Sequence, residues 1–214
     1  EIRKITKTLR NRVYPLINLK MYHNSKYSEK DFLDLLTYVA MPHDFTNNGS
    51  KTFELLKENI PASNTVIHHI KKLDPDYVEK LFMKTFDRLI KMAIKYKPFR
   101  EKVDLAIDIT EQMYYGDEND SMVCETKPKN GTSHCFRYIT INVVENGKRF
   151  TLLALPMHKF TTKLEVVKKL ITYAKSKVKI NRIYMDRGFF STDIIKLLNE
   201  FRIKWLMPAI KRRN

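Results

Sequence analysis

The spacing of the apolar residues changes once along the chain, near Lys97-Pro98, and this change constrains the fold more than any other feature. Before it, apolar side chains recur with the period of an α-helix. After it, they alternate with polar side chains or form short continuous runs, which is typical of β-strands. The pattern predicts an all-α region over 1–100, followed by an α/β domain over 101–214.

Four helices are predicted in the first region. The first begins after an N-cap at Ser28 and ends at Pro42, and the second is short and capped by Ser50. The third spans 62–73 and the fourth spans 75–96. Apolar residues on the third and fourth helices are expected to be buried, because they recur on one helix face. The apolar residues that define the four helices are Phe32, Leu35, Leu36 and Val39; Phe53, Leu55 and Leu56; Val66, Ile67, Ile70 and Leu73; and Leu81, Phe82, Phe86, Leu89, Ile90 and Ala93.

The second region is predicted to be an α/β unit with a mixed sheet and the element order βββαβαβ. Asn146-Gly147 is a strong hairpin signal between the second and third strands. Thr162 and Glu165 form a capping box before one helix, and Ser191 can cap the other. The strands are placed at 103–110, 134–145, 149–157, 179–186 and 203–210, with a polar loop at 114–131.

The charge points to a polyanionic partner. The 214 residues include 40 Lys and Arg against 24 Asp and Glu, a net charge of +16, which suits nucleic acid and equally a ribosome or an anionic membrane surface. Residues 1–102 carry 20 basic and 12 acidic side chains, and residues 103–214 carry the same numbers, so each half contributes +8. Within this basic chain, residues 103–126 contain seven acids and no Lys or Arg. Such an acidic segment indicates divalent cations.

Other classes are disfavoured. The two cysteines, Cys124 and Cys135, are too few for a disulfide framework or a four-thiolate zinc site. The apolar runs fall far short of the roughly 20 residues that cross a bilayer, and the first residues contain no apolar signal region. We therefore expect a soluble protein of the cytoplasm, associated with the nucleoid.

Asp108 and Asp186 are the candidate catalytic residues. Each stands in or directly after an apolar strand, where an unpaired carboxylate is costly. Because ligands of open α/β sheets gather at strand ends, carboxylates on neighbouring strands can hold Mg²⁺ or Mn²⁺. The alternative is structural, since aspartate at a strand end is often a turn or helix-cap residue. Arg187-Gly188 after Asp186 also permits a plain turn.

A candidate DNA-binding face lies on the third predicted helix. Thr65, His68, His69 and Lys72 share one side of it, at i, i+3, i+4 and i+7. A short helix, a proline-containing turn and a polar-faced helix in a basic region are similar to a helix-turn-helix reader. The same residues are equally compatible with an ordinary solvated surface.

Several segments together resemble insertion-sequence transposases of the DDE type. They are LAIDIT, then YYG, then KNGTSHCFRY, then GKRFTLLALP and finally IYMDRGFFS, within 103–211. The resemblance implies a ribonuclease H-like catalytic domain, and the predicted element order agrees with it. It also implies that Asp108 and Asp186 are two of the three catalytic acids. They would hold two Mg²⁺ or Mn²⁺ ions for cleavage at the ends of a mobile element and for attack of the freed 3′-hydroxyl on target DNA.

The third acid of that family is a Glu on a helix beyond the fifth strand, and this sequence stops just past that strand. Glu165 and Glu200 lie on earlier helices and do not match its position. We therefore expect a truncated copy or fragment, with a helical DNA-binding region at 1–100 and a ribonuclease H-like domain at 101–214 that lacks its C-terminal helix. The expected partner is double-stranded DNA, at element ends and target, with the chain as a homodimer. Candidate phosphate contacts are Arg187, Lys127, Lys129, Lys211, Arg212 and Arg213.

Two other functions remain open. A non-catalytic DNA-binding relic, or a regulator that competes for the element ends, would need no third acid. A simple metal-dependent nuclease on the same fold would need its remaining acid within these residues, with Glu200 as the candidate.

Overall fold

The structure is a computed structural model that describes residues 2–41, 45–95, 99, 101–145 and 148–209. The chain divides into two compact units, Glu1–Arg88 and Leu89–Asn214. The division falls within a helix, ahead of the boundary expected near residue 100. Lys97-Pro98, where the apolar spacing changes, lies outside the described residues.

The described part of the first unit contains helices. They are α1 (Ile2–Thr8), continued by a π-helical turn (Leu9–Val13) and a 3₁₀ turn (Tyr14–Leu16), then α2 (Glu29–Ala40), α3 (Thr46–Glu54), α4 (Ser63–Lys71) and α5 (Pro75–Ala93). The core of the unit forms around fully buried Phe32, Leu35 and Val66. Ser28 caps α2 as predicted, and its capping box is completed by Asp31. Pro42, the predicted end of this helix, lies outside the described residues.

The prediction that Ser50 is an N-cap is wrong. Ser50 lies in the middle of α3, is buried, and donates its hydroxyl to the carbonyl oxygen of Pro61 at 3.0 Å. The helix begins four residues earlier because Gly49 is helical here, although its sequence context suggested a loop. A Cβ at Gly49 would clash with Val39 of α2. The glycine therefore serves close packing of two helices rather than a turn.

Three residues predicted to be buried are exposed. Ile67 and Ile70 of α4 and Phe82 of α5 face solvent, whereas Val66, Leu81 and Ile90 on the same helices are buried. Helical spacing identifies an apolar arc, but it does not say which edge of that arc meets the core. Leu55 and Leu56, at the end of α3, are exposed as well.

A charge cluster joins three segments of the first unit. Asp34 of α2 is buried and accepts two hydrogen bonds from Arg10, both at 2.9 Å, and one from Lys57 at 3.0 Å. Lys57 also donates to Asp31 at 2.8 Å. Burial by itself opposes ionisation of Asp34, but the hydrogen bonds from Arg10 and Lys57 outweigh it and hold the pKa of Asp34 below its ordinary value.

The second unit is built on a mixed sheet of six strands. They are β1 (Lys102–Met113), β2 (Val123–Lys129), β3 (Thr132–Glu145), β4 (Lys148–Met157), β5 (Lys179–Met185) and β6 (Lys204–Leu206). β3 is antiparallel to β1 along one edge and to β2 and β4 along the other. β5 is parallel to β1, and β6 is parallel to β5. The sheet therefore runs from β2 and β4 through β3, β1 and β5 to β6.

The predicted loop over 114–131 contains a strand, β2, which the prediction missed. Its first residues, Val123 and Cys124, are buried opposite Phe136 and Cys135 of β3. β2 is stabilised by this pairing with a later strand, which its own polar sequence does not indicate. The Asn146-Gly147 hairpin signal lies outside the described residues, although Glu145 and Lys148 on either side of it are register partners.

Two helices follow the antiparallel strands, α6 (Lys163–Lys177) and α7 (Thr192–Glu200). The capping box of Thr162 and Glu165 and the N-cap at Ser191 are confirmed. The apolar stripe of α6, predicted at Val167, Leu170, Ile171 and Ala174, is buried, as are Ile194, Leu197 and Leu198 of α7; Phe201 is half-buried. α6 packs on β3, β4 and β5.

The two faces of the central strands differ. Leu105 and Ile107 of β1, Ile139 and Ile141 of β3 and Ile183 of β5 are fully or almost fully buried on one face. The residues between them are partly or fully exposed on the other face, which we call the polar face. Asp104, Ala106, Asp108, Thr140, Asn142 and Tyr184 form its centre. Within the described ranges, the structure contains no helix with the length and apolar character needed to span a bilayer.

Candidate active site

The parallel pairing of β1 and β5 brings the two candidate aspartates to neighbouring positions. It pairs Ala106 with Tyr184 and Ile107 with Met185. Continued by one residue, this register sets Asp108 beside Asp186, the residue directly after β5. The backbone of Asp186 is extended, with φ −77° and ψ 173°, so the alternation of side chains continues through it. Both carboxylates therefore belong to the polar face. Asp186 directly follows the carboxyl end of β5, and Asp108 lies within β1, at the point where its pairing with β5 ends.

The prediction that these aspartates have buried surroundings is wrong. Asp108 and Asp186 are both exposed, because β1 and β5 are buried on one face and not on the other. Burial therefore does not force either carboxylate to find a partner. Their pairing depends on strand register instead.

Each carboxylate accepts a backbone hydrogen bond through one of its two oxygens. Oδ1 of Asp108 accepts the backbone N–H of Ile109 at 2.8 Å, and Oδ1 of Asp186 accepts that of Gly188 at 2.8 Å. Among the described residues, Oδ2 of neither aspartate has a hydrogen-bond donor. Asp186 is thus a cap of the following 3₁₀ turn, as the structural alternative required. Its second oxygen remains available to a ligand, so Asp186 can cap the turn and bind a cation at the same time.

The turn that carries Asp186 is anchored on two sides. Phe189, at the end of the turn Arg187–Phe189, is 1% exposed. Lys163, the first residue of α6, donates from Nζ to the carbonyl oxygen of Gly188 at 2.9 Å. Lys163 was not identified from the sequence, because its partner is 25 residues away and is a backbone atom. Arg187 is exposed, beside the candidate site.

Gly188 leaves room for the Asp186 carboxylate. A Cβ at this position would lie 3.1 Å from Asp186 Oδ1 and 3.5 Å from Oδ2. We expect Gly188→Ala to shift the carboxylate by a few tenths of an ångström and to weaken cation binding, while costing less than about 1 kcal/mol of stability. Titration with Mn²⁺ and chemical denaturation of the same sample measure the two effects. Equal cation affinity in the variant and the original chain would contradict the expectation.

A hydrogen-bond network joins β1 to β5 on the same face. Asp104 accepts from the Tyr184 hydroxyl at 2.9 Å and from Nδ2 of Asn181 at 2.7 Å. Both contacts cross between the strands that carry Asp108 and Asp186. They support the register on which the neighbouring positions of those aspartates depend. Asp104 therefore has a structural role on the polar face.

The described residues contain no group of three or more His, Cys, Asp or Glu side chains able to hold a metal ion. Glu165 is engaged in its capping box, where it accepts the backbone N–H of Thr162 at 2.9 Å, and Glu200 is exposed at the end of α7. Neither is a third ligand here. The donors that are present suit a hard divalent cation, because Mg²⁺ is commonly bound by one or two carboxylates together with waters and substrate phosphates.

The predicted phosphate contacts are placed in part. Lys127 and Lys129 are exposed on β2, so they lie on a strand rather than in a loop. Lys211, Arg212 and Arg213 lie outside the described residues. A role in DNA binding stays a prediction for all of these residues and for Arg187.

The predicted DNA-binding face of α4 is not a single exposed surface. His68 and Lys72 are exposed, but Thr65 and His69 are half-buried. The His69 ring packs edge to face on Phe32 of the core, with ring centroids 5.1 Å apart. Val66 and His69 thus form the inward side of α4, and Leu73, just beyond the helix, packs against the same core at i+7 from Val66. That spacing was visible in the sequence, but isoleucines nearby gave a stronger apolar signal than a histidine.

Comparison of the chain with known proteins finds similarity only among solved structures. No protein-family model and no curated protein sequence matches the chain. Among solved structures, it is similar to the Drosophila P element transposase strand transfer complex, with a TM-score of 0.43 and 10% identity over 95% of this chain and 43% of that chain. It is also similar to the Mos1 strand transfer complex, with a TM-score of 0.30 and 9% identity over 88% of this chain and 60% of that one. For a pre-cleavage Mos1 transpososome, the TM-score is 0.31 and the identity 8%, over 88% and 61%. This chain therefore spans less than two thirds of the length of each.

Proposed function

We propose that this chain supplies part of the catalytic machinery of a DDE-type transposase, which cuts and joins DNA with the help of divalent cations. The observation that supports this most strongly is the neighbouring position of Asp108 and Asp186 on two parallel strands, where the pairing of β1 with β5 ends at the carboxyl end of β5. This end of a sheet is the usual place for ligands in α/β folds. The proposal includes a ribonuclease H-like fold for the second unit. Its strands and helices follow the predicted order βββαβαβ except for the additional strand β2 between β1 and β3, which supports this part of the proposal.

Asp108 and Asp186 would hold Mg²⁺ or Mn²⁺ through the oxygens that the backbone does not engage. Such cations neutralise charge on a phosphodiester, activate water or a 3′-hydroxyl and stabilise the leaving oxygen. The backbone N–H groups of Ile109 and Gly188 would orient the two carboxylates for this task. Lys163 would keep the turn of Asp186 in place through the Gly188 carbonyl. Asp108 and Asp186 are thus the portion of the acidic site that the described residues contribute.

The partner that we propose is double-stranded DNA. The net charge of +16 is shared by both halves of the chain, so a single basic tail does not account for it. Exposed Lys127, Lys129 and Arg187 are available for phosphate contacts. Contacts of this kind release counterions, so binding should weaken steeply as salt increases.

Substitution of the two aspartates tests the proposal. We expect Asp108→Asn and Asp186→Asn each to lower Mn²⁺ affinity by about tenfold or more, because a charged oxygen ligand becomes a neutral amide. DNA affinity should change by less than about twofold, since phosphate contacts lie elsewhere. Calorimetric titration with Mn²⁺ and a DNA-binding assay without cation measure the two quantities. Asp193→Asn, at an exposed position in the first turn of α7, is the matched control. If both variants bind Mn²⁺ as the original chain does, the metal site and the enzymatic proposal are wrong.

A second candidate is a DNA-binding protein without catalytic activity. It is favoured by one observation, that the described residues bring two carboxylates together and not three. Incubation of the chain with labelled DNA and Mg²⁺ separates the two candidates. Cleavage that is lost in Asp108→Asn supports the transposase proposal, and DNA binding without any cleavage supports the second candidate.

A further inference from the structure

Three polar side chains of β3 and β4 form a hydrogen-bonded row on the polar face. The Thr151 hydroxyl donates to Oδ1 of Asn142 at 2.7 Å, and Nδ2 of Asn142 donates to the Thr140 hydroxyl oxygen at 2.9 Å. Thr151 and Asn142 are register partners, and Asn142 and Thr140 are two residues apart on one strand. Neither the charge of the chain nor its resemblance to a family indicated this row.

The row ends beside the candidate acid pair. Thr140 is the register partner of Asp108 across the antiparallel pair of β3 and β1. Side chains of directly opposed residues lie on the same face, with Cβ atoms about 4.5–5.5 Å apart. Asp108 therefore has Asp186 on one side, along β5, and the Thr140 hydroxyl on the other, along β3.

The direction of the hydrogen bonds determines what Thr140 can offer. A hydroxyl has one proton to donate and can accept through its oxygen. The oxygen of Thr140 already accepts from Nδ2 of Asn142, a nitrogen that cannot accept a proton in return. The Thr140 proton is thus available to a different acceptor, and a carboxylate accepts protons in hydrogen bonds. The donors of the row run from Thr151 through Asn142 to Thr140, the residue opposite Asp108.

We propose that Thr140 is a positioning residue, which donates its hydroxyl proton to the Asp108 carboxylate through one water. This inference rests on the proposed function, because it concerns the same acid pair. The N–H of Ile109 engages Oδ1 of Asp108, and the water bound by the Thr140 hydroxyl reaches Oδ2, which has no direct hydrogen-bond donor among the described residues. A carboxylate oxygen has a further lone pair, so Oδ2 can still bind a cation that Asp186 shares. Thr140 thereby selects the orientation of Asp108 in which the two aspartates converge.

Substitutions of Thr140 that separate the hydroxyl from the shape of the side chain test the inference. Thr140→Val keeps the branched shape and removes the hydroxyl, and we expect Mn²⁺ affinity to fall by about five- to tenfold. Thr140→Ser keeps the hydroxyl, and its affinity should stay within about twofold of the original value. Thr110→Val is the control, because Thr110 is an exposed threonine of β1 on the same face and no hydrogen bond of the row includes it. Calorimetric titration with Mn²⁺ gives the affinities, and thermal unfolding in EDTA shows whether the fold is intact.

The outcomes distinguish this inference from the proposed function. If Thr140→Val binds Mn²⁺ normally while Asp108→Asn does not, the role of Thr140 is wrong and the metal site stands. If Thr140→Ser loses as much affinity as Thr140→Val, the effect comes from packing and the inference is also overturned. Normal Mn²⁺ binding by Asp108→Asn removes the proposed function itself. Thr140→Ala provides the same test as Thr140→Val if the valine variant does not fold.

Discussion

Phe189→Ala is expected to destabilise the second unit by about 3–5 kcal/mol, the usual cost of removing a buried phenylalanine side chain. Phe189 is 1% exposed and closes the turn that begins at Asp186. Its loss leaves a cavity that the short turn cannot fill without moving, so the Asp186 carboxylate should be displaced as well. Denaturation in urea measures the change in the free energy of unfolding, and titration with Mn²⁺ measures the effect on the site.

Phe160→Ala is the matched control for that experiment. Phe160 is 82% exposed, so its truncation removes little buried surface and should change stability by less than about 0.5 kcal/mol. A loss of stability in Phe189→Ala no larger than that of the control would contradict the packing described for the turn. Lower stability with normal cation binding would show that Phe189 supports the fold without positioning Asp186.

Asp34→Asn is expected to destabilise the first unit by about 2–3 kcal/mol. The variant loses the charge that accepts two hydrogen bonds from Arg10 and one from Lys57. Removal of one partner from a buried ion pair costs about 3–5 kcal/mol. We expect less here, because the Arg10 and Lys57 side chains are 39% and 30% exposed and water screens the charges that remain. Glu54→Gln makes the same acid-to-amide change at an exposed position and should have almost no effect.

The same carboxylate predicts a pH dependence. Because the pKa of Asp34 is below its ordinary value of 3.8 in the folded chain, the unfolded chain takes up the proton at a higher pH than the folded one. The stabilisation is therefore complete above the ordinary pKa and is lost as the pH falls through the lowered pKa of the folded state. Urea denaturation between about pH 6 and pH 2 should show a steep acid loss in the original chain and a shallower one in Asp34→Asn. Parallel curves for the two proteins would contradict this account.

The features that were predicted correctly are mostly local. Ser28, Thr162 and Ser191 were predicted to be caps from their type and position. In the structure, each accepts the backbone N–H of the residue three positions ahead. The stripe of α6 was correct because its apolar side packs on β3, β4 and β5. The errors have a non-local origin. Gly49 is helical because Val39 of another helix packs against it, and β2 is a strand because β3 pairs with it.

For the candidate site, the sequence by itself determined which residues are chemically suited to it. It identified Asp108 and Asp186 from their type and from the strand-like segments before them, and it indicated a polyanionic partner from the charge. The tertiary structure decided what surrounds them. Lys163, Thr140 and the Asp104–Tyr184 pair reach the polar face through strand pairing and helix packing between distant segments.

The register of β1 and β5 joins residues far apart in the chain, as in the hydrogen bond from Tyr184 to Asp104, which are 80 positions apart. A shift of one residue would move Asp186 to the opposite face from Asp108. Side-chain type and local spacing carry no information about such a shift. The neighbouring positions of the two aspartates were therefore decided by the packing of the whole sheet.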